Sequence, residues 1–300
     1  MAQDSIVIVD TVDKYNRYCG FETLHPLVSV VDLKQAKRMY PECKLHFGLY
    51  SLWLKNGTGC TLRYGRREYD YQDGTVVCFA PGQVVQVVPN DGLVPTSIGI
   101  LFHPDLIHGT SLGRKIDRYT YFSYSESEAL HLSLKEREQF LNILEEIKAE
   151  MNSAIDRHSK EVLCDLIELL LDKCLRFYDR QFITREKVNG DLLVDFERYL
   201  KAYYMENRGG LKGFPTVAYF ADKLCLSTGY FGDLIKKETG MTAQAHIQNR
   251  VINMSKQELL NSDHTVNDIA WKLGFEYPQH FTRLFKKVVG MTPTEFRQVN

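Results

Sequence analysis

The sequence predicts an α+β protein of two domains, with β-strands first and an all-helical region last. Three observations lead there. One short pattern is written twice in the last 85 residues, its copies 49 or 50 positions apart. From His25 to about Phe102, short alternating runs recur with turn residues between them. After Ser125 the apolar period changes from that of a strand to that of a helix.

The chain has 300 residues, 44% apolar and 25% charged, the composition of an ordinary globular protein of two domains. Its net charge of −1 is unevenly spread. Residues 201–300 hold 13 Lys+Arg against 9 Asp+Glu, a net of +4, while the remainder holds 24 against 29, a net of −5. A mildly basic end beside an acidic body suits contact with nucleic acid through one end only.

Seven cysteines, at 19, 43, 60, 78, 164, 174 and 225, are scattered and never spaced as C-x-x-C. That pattern argues against a disulfide framework and against a structural zinc site. The first ten residues carry only a short apolar run with no basic segment before it, unlike a signal peptide. No apolar stretch approaches the roughly 20 residues of a bilayer span. The expected location is the cytoplasm.

Taken in order, residues 1–20 read as a loose arm without a pattern. Lys44 to Lys55 alternates aromatic, aliphatic and polar residues and ends at the hairpin signal Asn56-Gly57. Cys60–Tyr64, Arg66–Tyr71, Thr75–Phe79, Val84–Val88 and Thr96–Phe102 follow as further strands. Short strands at such spacing suggest an antiparallel sandwich or small barrel. Aromatic residues are dense in it: Tyr50, Trp53, Tyr64, Tyr69, Tyr71 and Phe79. Core packing accounts for most of them, and a cavity lining for some, with Tyr50, Trp53 and Tyr64 the candidates for a bound small molecule. His25, His46, His103 and His108 stand apart with no His-x-His, so neither a metal nor another cofactor is expected, and no catalytic residue is assigned.

His103-Pro104-Asp105 opens a loop that runs past Gly109 and Gly113. Ser133 with Glu136 three positions later is a capping box, and Phe140, Leu141, Leu144 and Ile147 follow at helical spacing. A second helix covers about Lys160 to Tyr178, and Phe140, Leu144, Leu166 and Leu170 of the two helices offer apolar surface for a homodimer, with packing onto their own barrel as the alternative. Residues 181–191, with Asn189-Gly190, read as the linker between a domain of 1–180 and one of 192–300. Leu192 to Tyr204 is helical and is broken by Asn207-Arg208-Gly209-Gly210.

The doubled pattern occupies the rest. In its second copy, Thr265 caps a helix carrying Val266, Ile269, Ala270 and Leu273 on one stripe, and Gly274 ends it. A second helix buries Phe281, Leu284 and Phe285 and turns Gln279, His280, Thr282, Arg283, Lys286 and Lys287 outward. Gly290-Met291-Thr292-Pro293 closes the copy. The first copy runs through Thr216-Val217, Ala221, Lys223-Leu224, Phe231, Leu234, Lys236-Lys237 and Gly240-Met241-Thr242. A single such helix pair is equally a surface helix with a solvated face. Two copies are not, because a helix showing donors and cations after a tight turn is what major-groove reading requires.

Residues 216–297 resemble the DNA-binding domain of the AraC/XylS family, two helix-turn-helix units on a shared linker helix. The match is nearly position for position from Lys272-Leu273-Gly274-Phe275 through Phe281-Thr282-Arg283-Leu284-Phe285-Lys286-Lys287 to Phe296-Arg297. The resemblance implies a cupin-like antiparallel β-barrel with dimerisation helices in the N-terminal half. It also implies a homodimer, a small-molecule effector, double-stranded DNA and RNA polymerase as partners, and the role of a transcription activator. Carried over, base contacts fall to Gln279, Thr282 and Arg283, and backbone contacts to Thr228, Tyr230, Lys236, Lys237, Lys286 and Lys287. The first copy departs from this pattern, with Gly229, Gly232 and Asp233 at the base-reading places. Two other readings are a cupin-like enzyme fused to a DNA-binding domain, and an activator that needs no ligand and whose barrel only dimerises.

Overall fold

The computed structural model describes residues 6–55, 60–63, 74–89, 96–125, 128–154, 156–184, 186–206 and 213–299. The chain divides into two compact units, Met1–Thr184 and Arg185–Asn300.

The segment expected to be a loose arm, residues 1–20, holds two regular elements. Strand β1 (Ile6–Val9) leads into helix α1 (Val12–Cys19). Thr11 Oγ1 accepts from the Lys14 N–H, Gly20 ends the helix at φ 81°, and Val12, Tyr15 and Cys19 are buried. Those three positions are a helical stripe, but eight residues state a period only briefly. Eight more strands follow: β2 (Val28–Asp32), β3 (Cys43–Phe47), β4 (Tyr50–Lys55), β5 (Cys60–Arg63), β6 (Thr75–Phe79), β7 (Val84–Pro89), β8 (Ile98–Phe102) and β9 (Leu130–His131). They make two sheets, of order β1-β3-β7-β5 and β2-β8-β4-β6-β9. Every pairing is antiparallel except that of β1 with β3.

The antiparallel β-fold expected from strand spacing therefore takes the form of two facing sheets. Leu45, Phe47, Val85 and Val87 of one, with Val31, Trp53, Val77, Phe79 and Leu101 of the other, form one buried cluster that α1 joins. The single run expected over Lys44–Lys55 is two strands, which leave one sheet at Phe47 and enter the other at Tyr50. The Asn56-Gly57 signal and the Arg66–Tyr71 run lie outside the described residues.

The five-stranded sheet is covered on its other side as well. Short helices α2 (Pro104–Ile107) and α3 (Ser111–Lys115) occupy the expected loop, and the long helices α4 (Leu134–Met151) and α5 (Ser159–Thr184) follow. The Tyr121 hydroxyl donates to the Leu171 carbonyl at 3.0 Å, and Phe122 packs edge-on to Tyr50. Burial on both faces explains why β6 reads Thr-Val-Val-Cys-Phe with no exposed position. The Ser133–Glu136 capping box forms, and Arg180 of α5 grips the same Glu136 carboxylate at 3.0 and 2.7 Å. Phe140, Leu144 and Leu170, expected to serve a dimer, fill the core of their own unit.

In the second unit, α6 (Glu186–Glu206) starts two residues after α5 ends, so the expected linker is helical on both sides of position 185. Gly190 inside α6 costs about 1 kcal/mol against Ala. Burial of Phe196 and Leu200 further along the helix offsets it. Then come α7 (Val217–Lys223), α8 (Thr228–Thr239), α9 (Ala243–Asn261), α10 (Val266–Lys272), α11 (Pro278–Val289) and α12 (Pro293–Val299). Helices α7 and α8 pack on α9, and so do α10 and α11. Ile247, Val251, Ile252 and Leu259 of α9 are buried by them.

One glycine in the β-unit decides a side-chain position. Gly99 pairs with Trp53, and a Cβ there would lie 2.2 Å from the Leu52 carbonyl oxygen and 2.8 Å from the indole. Gly99→Ala is expected to destabilise the unit by about 1–3 kcal/mol. A lowered urea midpoint, with altered Trp fluorescence below the transition, is the measurement. An unchanged midpoint would show that the indole shifts freely.

Candidate functional site

Each repeat of the second unit begins with a threonine cap. Thr216 accepts from the Tyr219 N–H and Thr265 from the Asp268 N–H, and Asp268 returns the bond to complete a capping box. Each first helix then ends in the same three bonds. Leu224, Cys225 and Leu226 N–H groups donate to Phe220, Asp222 and Ala221 carbonyls; Leu273, Gly274 and Phe275 donate to Ile269, Trp271 and Ala270. The turn needs one left-handed residue. Gly274 supplies it at φ 85°, and in the first copy Cys225 does so at φ 60°. A side chain in that region costs about 1–2 kcal/mol.

Helix α8 is capped by Ser227, whose hydroxyl accepts from the Tyr230 N–H; α11 starts at Pro278 with no side-chain cap. Its positive end is thus open to an anion. Both second helices end on left-handed glycines, Gly240 at φ 72° and Gly290 at φ 89°. Their inner faces make two aromatic clusters. Phe196 of α6 sits between Phe220 and Phe231 at 5.2 and 5.1 Å, and Phe296 of α12 closes on Phe285 at 5.5 Å. Polar clasps hold the same parts: His246 of α9 pairs with Glu197 of α6, and Lys272 of α10 meets Glu258 of α9 at 2.8 Å. Arg297 donates to the Leu259 and His264 carbonyls at 2.9 and 2.7 Å, which satisfies acceptors around the C-terminal end of α9.

With Phe281 and Phe285 fully buried, helical geometry turns one face of α11 outward. Gln279, Arg283, Lys286 and Lys287 stand exposed on it, with Thr282 half-buried beside them. The same positions of α8 carry Gly229, Gly232, Asp233, Lys236 and Lys237, with the two lysines exposed. Thr228 is exposed at the start of α8. Tyr230 is not available: it is 4% exposed, so the backbone contact expected of it is withdrawn. Its ring enters the interior at the place where the second copy has the exposed His280. The two copies share a frame and differ in what they present.

The first unit holds a cavity between its sheets, lined by Tyr15, Tyr40, Phe47, Trp53, Lys55 and Phe79 among others. Trp53 is where the sequence led. Tyr50 is not: three positions away on β4, it faces the opposite side, where it stacks on Phe102 at 5.1 Å. Tyr64 lies outside the described residues. Lys55, which sequence reading missed, lies two residues after Trp53 and so shares its inner face. Among the described residues, no group of three or more His, Cys, Asp or Glu side chains is placed to hold a metal ion, and no helix is long and apolar enough to cross a membrane.

Two helix-turn-helix units fastened to one shared helix define a nucleic-acid-reading class of domain. Residues 220–299 match the family model described as a helix-turn-helix domain. The transcriptional regulatory protein YesN of Bacillus subtilis (strain 168) is 37% identical over 79 residues, 26% of this chain and 22% of that protein. The HTH-type transcriptional activator RhaS of Citrobacter koseri is 33% identical over 78 residues, 26% of this chain and 28% of that protein. The solved C-terminal domain of the two-component response regulator yesN from Fusobacterium nucleatum is 27% identical, with a TM-score of 0.30, covering 34% of this chain and 96% of that one. The chain thus spans less than a third of the length of these two curated relatives. The C-terminal domain is of the AraC/XylS type.

The two turns respond oppositely to the same kind of change. Cys225→Gly is expected to stabilise the protein by about 0.5–1 kcal/mol, the relieved strain less the added chain entropy. Gly274→Ala is expected to cost about 2–3 kcal/mol, because a Cβ there would also lie 2.3 Å from the Gly213 carbonyl oxygen. Thermal melting of the two variants beside the parent checks both signs.

Proposed function

We propose that the chain is a sequence-specific DNA-binding transcription regulator of the cytoplasm, with the second unit on DNA and the first controlling it through a small molecule. The observation that carries this reading is the outward face of α11. A Gln, an Arg and two Lys stand exposed there, on a helix seated by a glycine turn and repeated 50 residues upstream. Helix α9, 19 residues long, is about 28 Å of rigid spacer, close to the roughly 34 Å between major grooves on one face of B-DNA.

The two copies divide the work. Arg283 suits a bidentate contact to guanine and Gln279 one to adenine, with Thr282 beside them. In the first copy Gly229 and Gly232 have no side chain to reach with, and Asp233 repels phosphate. That copy holds the sugar–phosphate backbone through Thr228, Lys236 and Lys237, as Lys286 and Lys287 do in the second. The reading includes a homodimer, for which α5 leaves Val162 and Leu169 on its solvent side at 38% and 43% exposure. Activation by engagement of RNA polymerase belongs to the same reading.

Arg283→Ala is expected to cost about 1–3 kcal/mol on the specific site and to relax preference at one base pair. Competition titration on specific and scrambled duplexes measures it, and a uniform loss on both duplexes would remove base reading from α11. Replacing Lys286 and Lys287 together by Ala should lower the log–log salt slope by about 0.9 per lost contact. An unchanged slope would place those lysines off the phosphates. Sedimentation of the intact protein tests the dimer, and a monomer across the micromolar range would exclude it.

A further inference from the structure

A second cleft of the first unit lies where the α2–α3 segment runs along the start of α5, and it shares no lining residue with the inter-sheet cavity. It holds about 410 Å³, and its wall carries five charged side chains, Arg114, Arg157, Lys160, Glu161 and Asp165. The backbone around it is fixed. Lys160 Nζ donates to the His108 carbonyl at 3.1 Å, the Cys164 thiol donates to the Leu106 carbonyl at 3.5 Å, and Lys115 pairs with Glu168. Thr110 closes the turn between α2 and α3, its hydroxyl donating to the Ile107 carbonyl at 2.6 Å and accepting from the Gly113 N–H at 3.2 Å. A Cβ at Gly113 would lie 2.2 Å from that carbonyl oxygen, so only glycine lets the two short helices meet this closely.

Both signs of charge line this cleft, yet among the described residues none of the five side chains forms an ion pair. Arg157 commits only its Nε, to His158 Nε2 at 2.9 Å, so the two terminal nitrogens of its guanidinium stay available. Arg114 has no partner among the described residues. Glu161 and Asp165 stand four apart on α5, one turn along the same side, where like charges repel. Three cations and two carboxylates leave a net of +1, with His108 taken as neutral. All five are exposed, so a single contact to any of them is weak in water. The wall is answered best by a ligand that carries both signs and a net charge opposite to its own. Two carboxylates suit the guanidinium pair, each held in two parallel bonds, and one ammonium suits the place where Glu161 and Asp165 repel each other. We infer that the cleft takes a small acidic α-amino acid, its carboxylates on Arg114 and Arg157 and its ammonium at Glu161 and Asp165. This site stands whether or not the first unit controls DNA.

L-Glutamate, glutarate and cadaverine share one chain length and carry both signs, carboxylates only and ammonium groups only, so calorimetric titration of the full chain with each separates the charges. L-Glutamate should bind most tightly, glutarate about 3- to 10-fold more weakly for want of the ammonium, and cadaverine most weakly. Arg114→Gln should weaken L-glutamate and glutarate alike, by about 3- to 10-fold. Glu161→Gln should weaken L-glutamate by a similar factor and tighten glutarate, because a carboxylate that repels the anion is gone. A merely structural effect would not move the two ligands in opposite directions. Both positions are exposed, so both variants should keep the parent melting temperature. Asp165→Asn serves in place of Glu161→Gln if that variant does not fold. Glutarate binding as tightly as L-glutamate in the parent chain would reduce the cleft to an anion site and overturn the ligand class. Tightest binding of cadaverine would overturn it with the sign reversed. L-Glutamate affinity undiminished in both variants would place that ligand elsewhere on the chain, and binding of none of the three at roughly 10 mM would overturn the inference outright.

Discussion

Neither helix pair of the second unit can bury its apolar stripe alone, and α9 is the surface on which both do so. A unit of two short helices has too little interior to offset the entropy of ordering it. Ile247, Val251, Ile252 and Leu259 supply the missing area from one helix, so the two pairs share a core and a frame. Phe196 from α6 completes the first cluster and Phe296 from α12 the second. Everything proposed for the outward faces depends on that inner packing, because a recognition side chain reads a base only if its helix is held to within a fraction of an ångström.

The repeat also shows how duplication relaxes one copy. Turn backbone bonds, threonine caps and terminal glycines match through both copies, which differ at the turn residue, in the cap of the second helix and on the outer face. The second copy keeps Gly274 at the left-handed position, where the passing Gly213 backbone leaves no room for a side chain. The first copy carries Cys225 there, exposed and strained. On the outer face, Gln279, Thr282 and Arg283 stand where the first copy has two glycines and an aspartate. Geometry is preserved in both copies, while the chemistry for base contact is concentrated in one.

In the first unit, strand parity does the sorting. Along β4, Tyr50, Leu52 and Leu54 face the side covered by Phe102, Phe122 and the long helices, and Ser51, Trp53 and Lys55 face the opposite sheet. The same alternation brings a cation to the wall of an apolar cavity. Tyr50 and Trp53 look alike in sequence as aromatic candidates, yet a separation of three puts them on opposite faces.

Much of this was legible before any fold was known. The doubled motif, its caps, its turn glycine and the outward set Gln279, Arg283, Lys286 and Lys287 are local matters of spacing and residue type, and local physics decides them. So are the Ser133–Glu136 capping box and most strand spans. Contacts between elements distant in the chain were decided elsewhere. Tyr230 is buried and its counterpart His280 exposed, although both hold the same helical position. Residues 181–184 and 186–191 are helical where composition suggested a linker, and Phe140, Leu144 and Leu170 face their own core. The split of one alternating run into β3 and β4 follows from two sheets closing on each other, which no stretch of twelve residues records. Trp53 and Lys55 line a cavity only together with Tyr15, Tyr40 and Phe79, residues brought to them from α1, from the segment before β3 and from β6. Period and capping are properties of neighbours in the chain; burial and a shared cavity belong to residues that become neighbours only after folding.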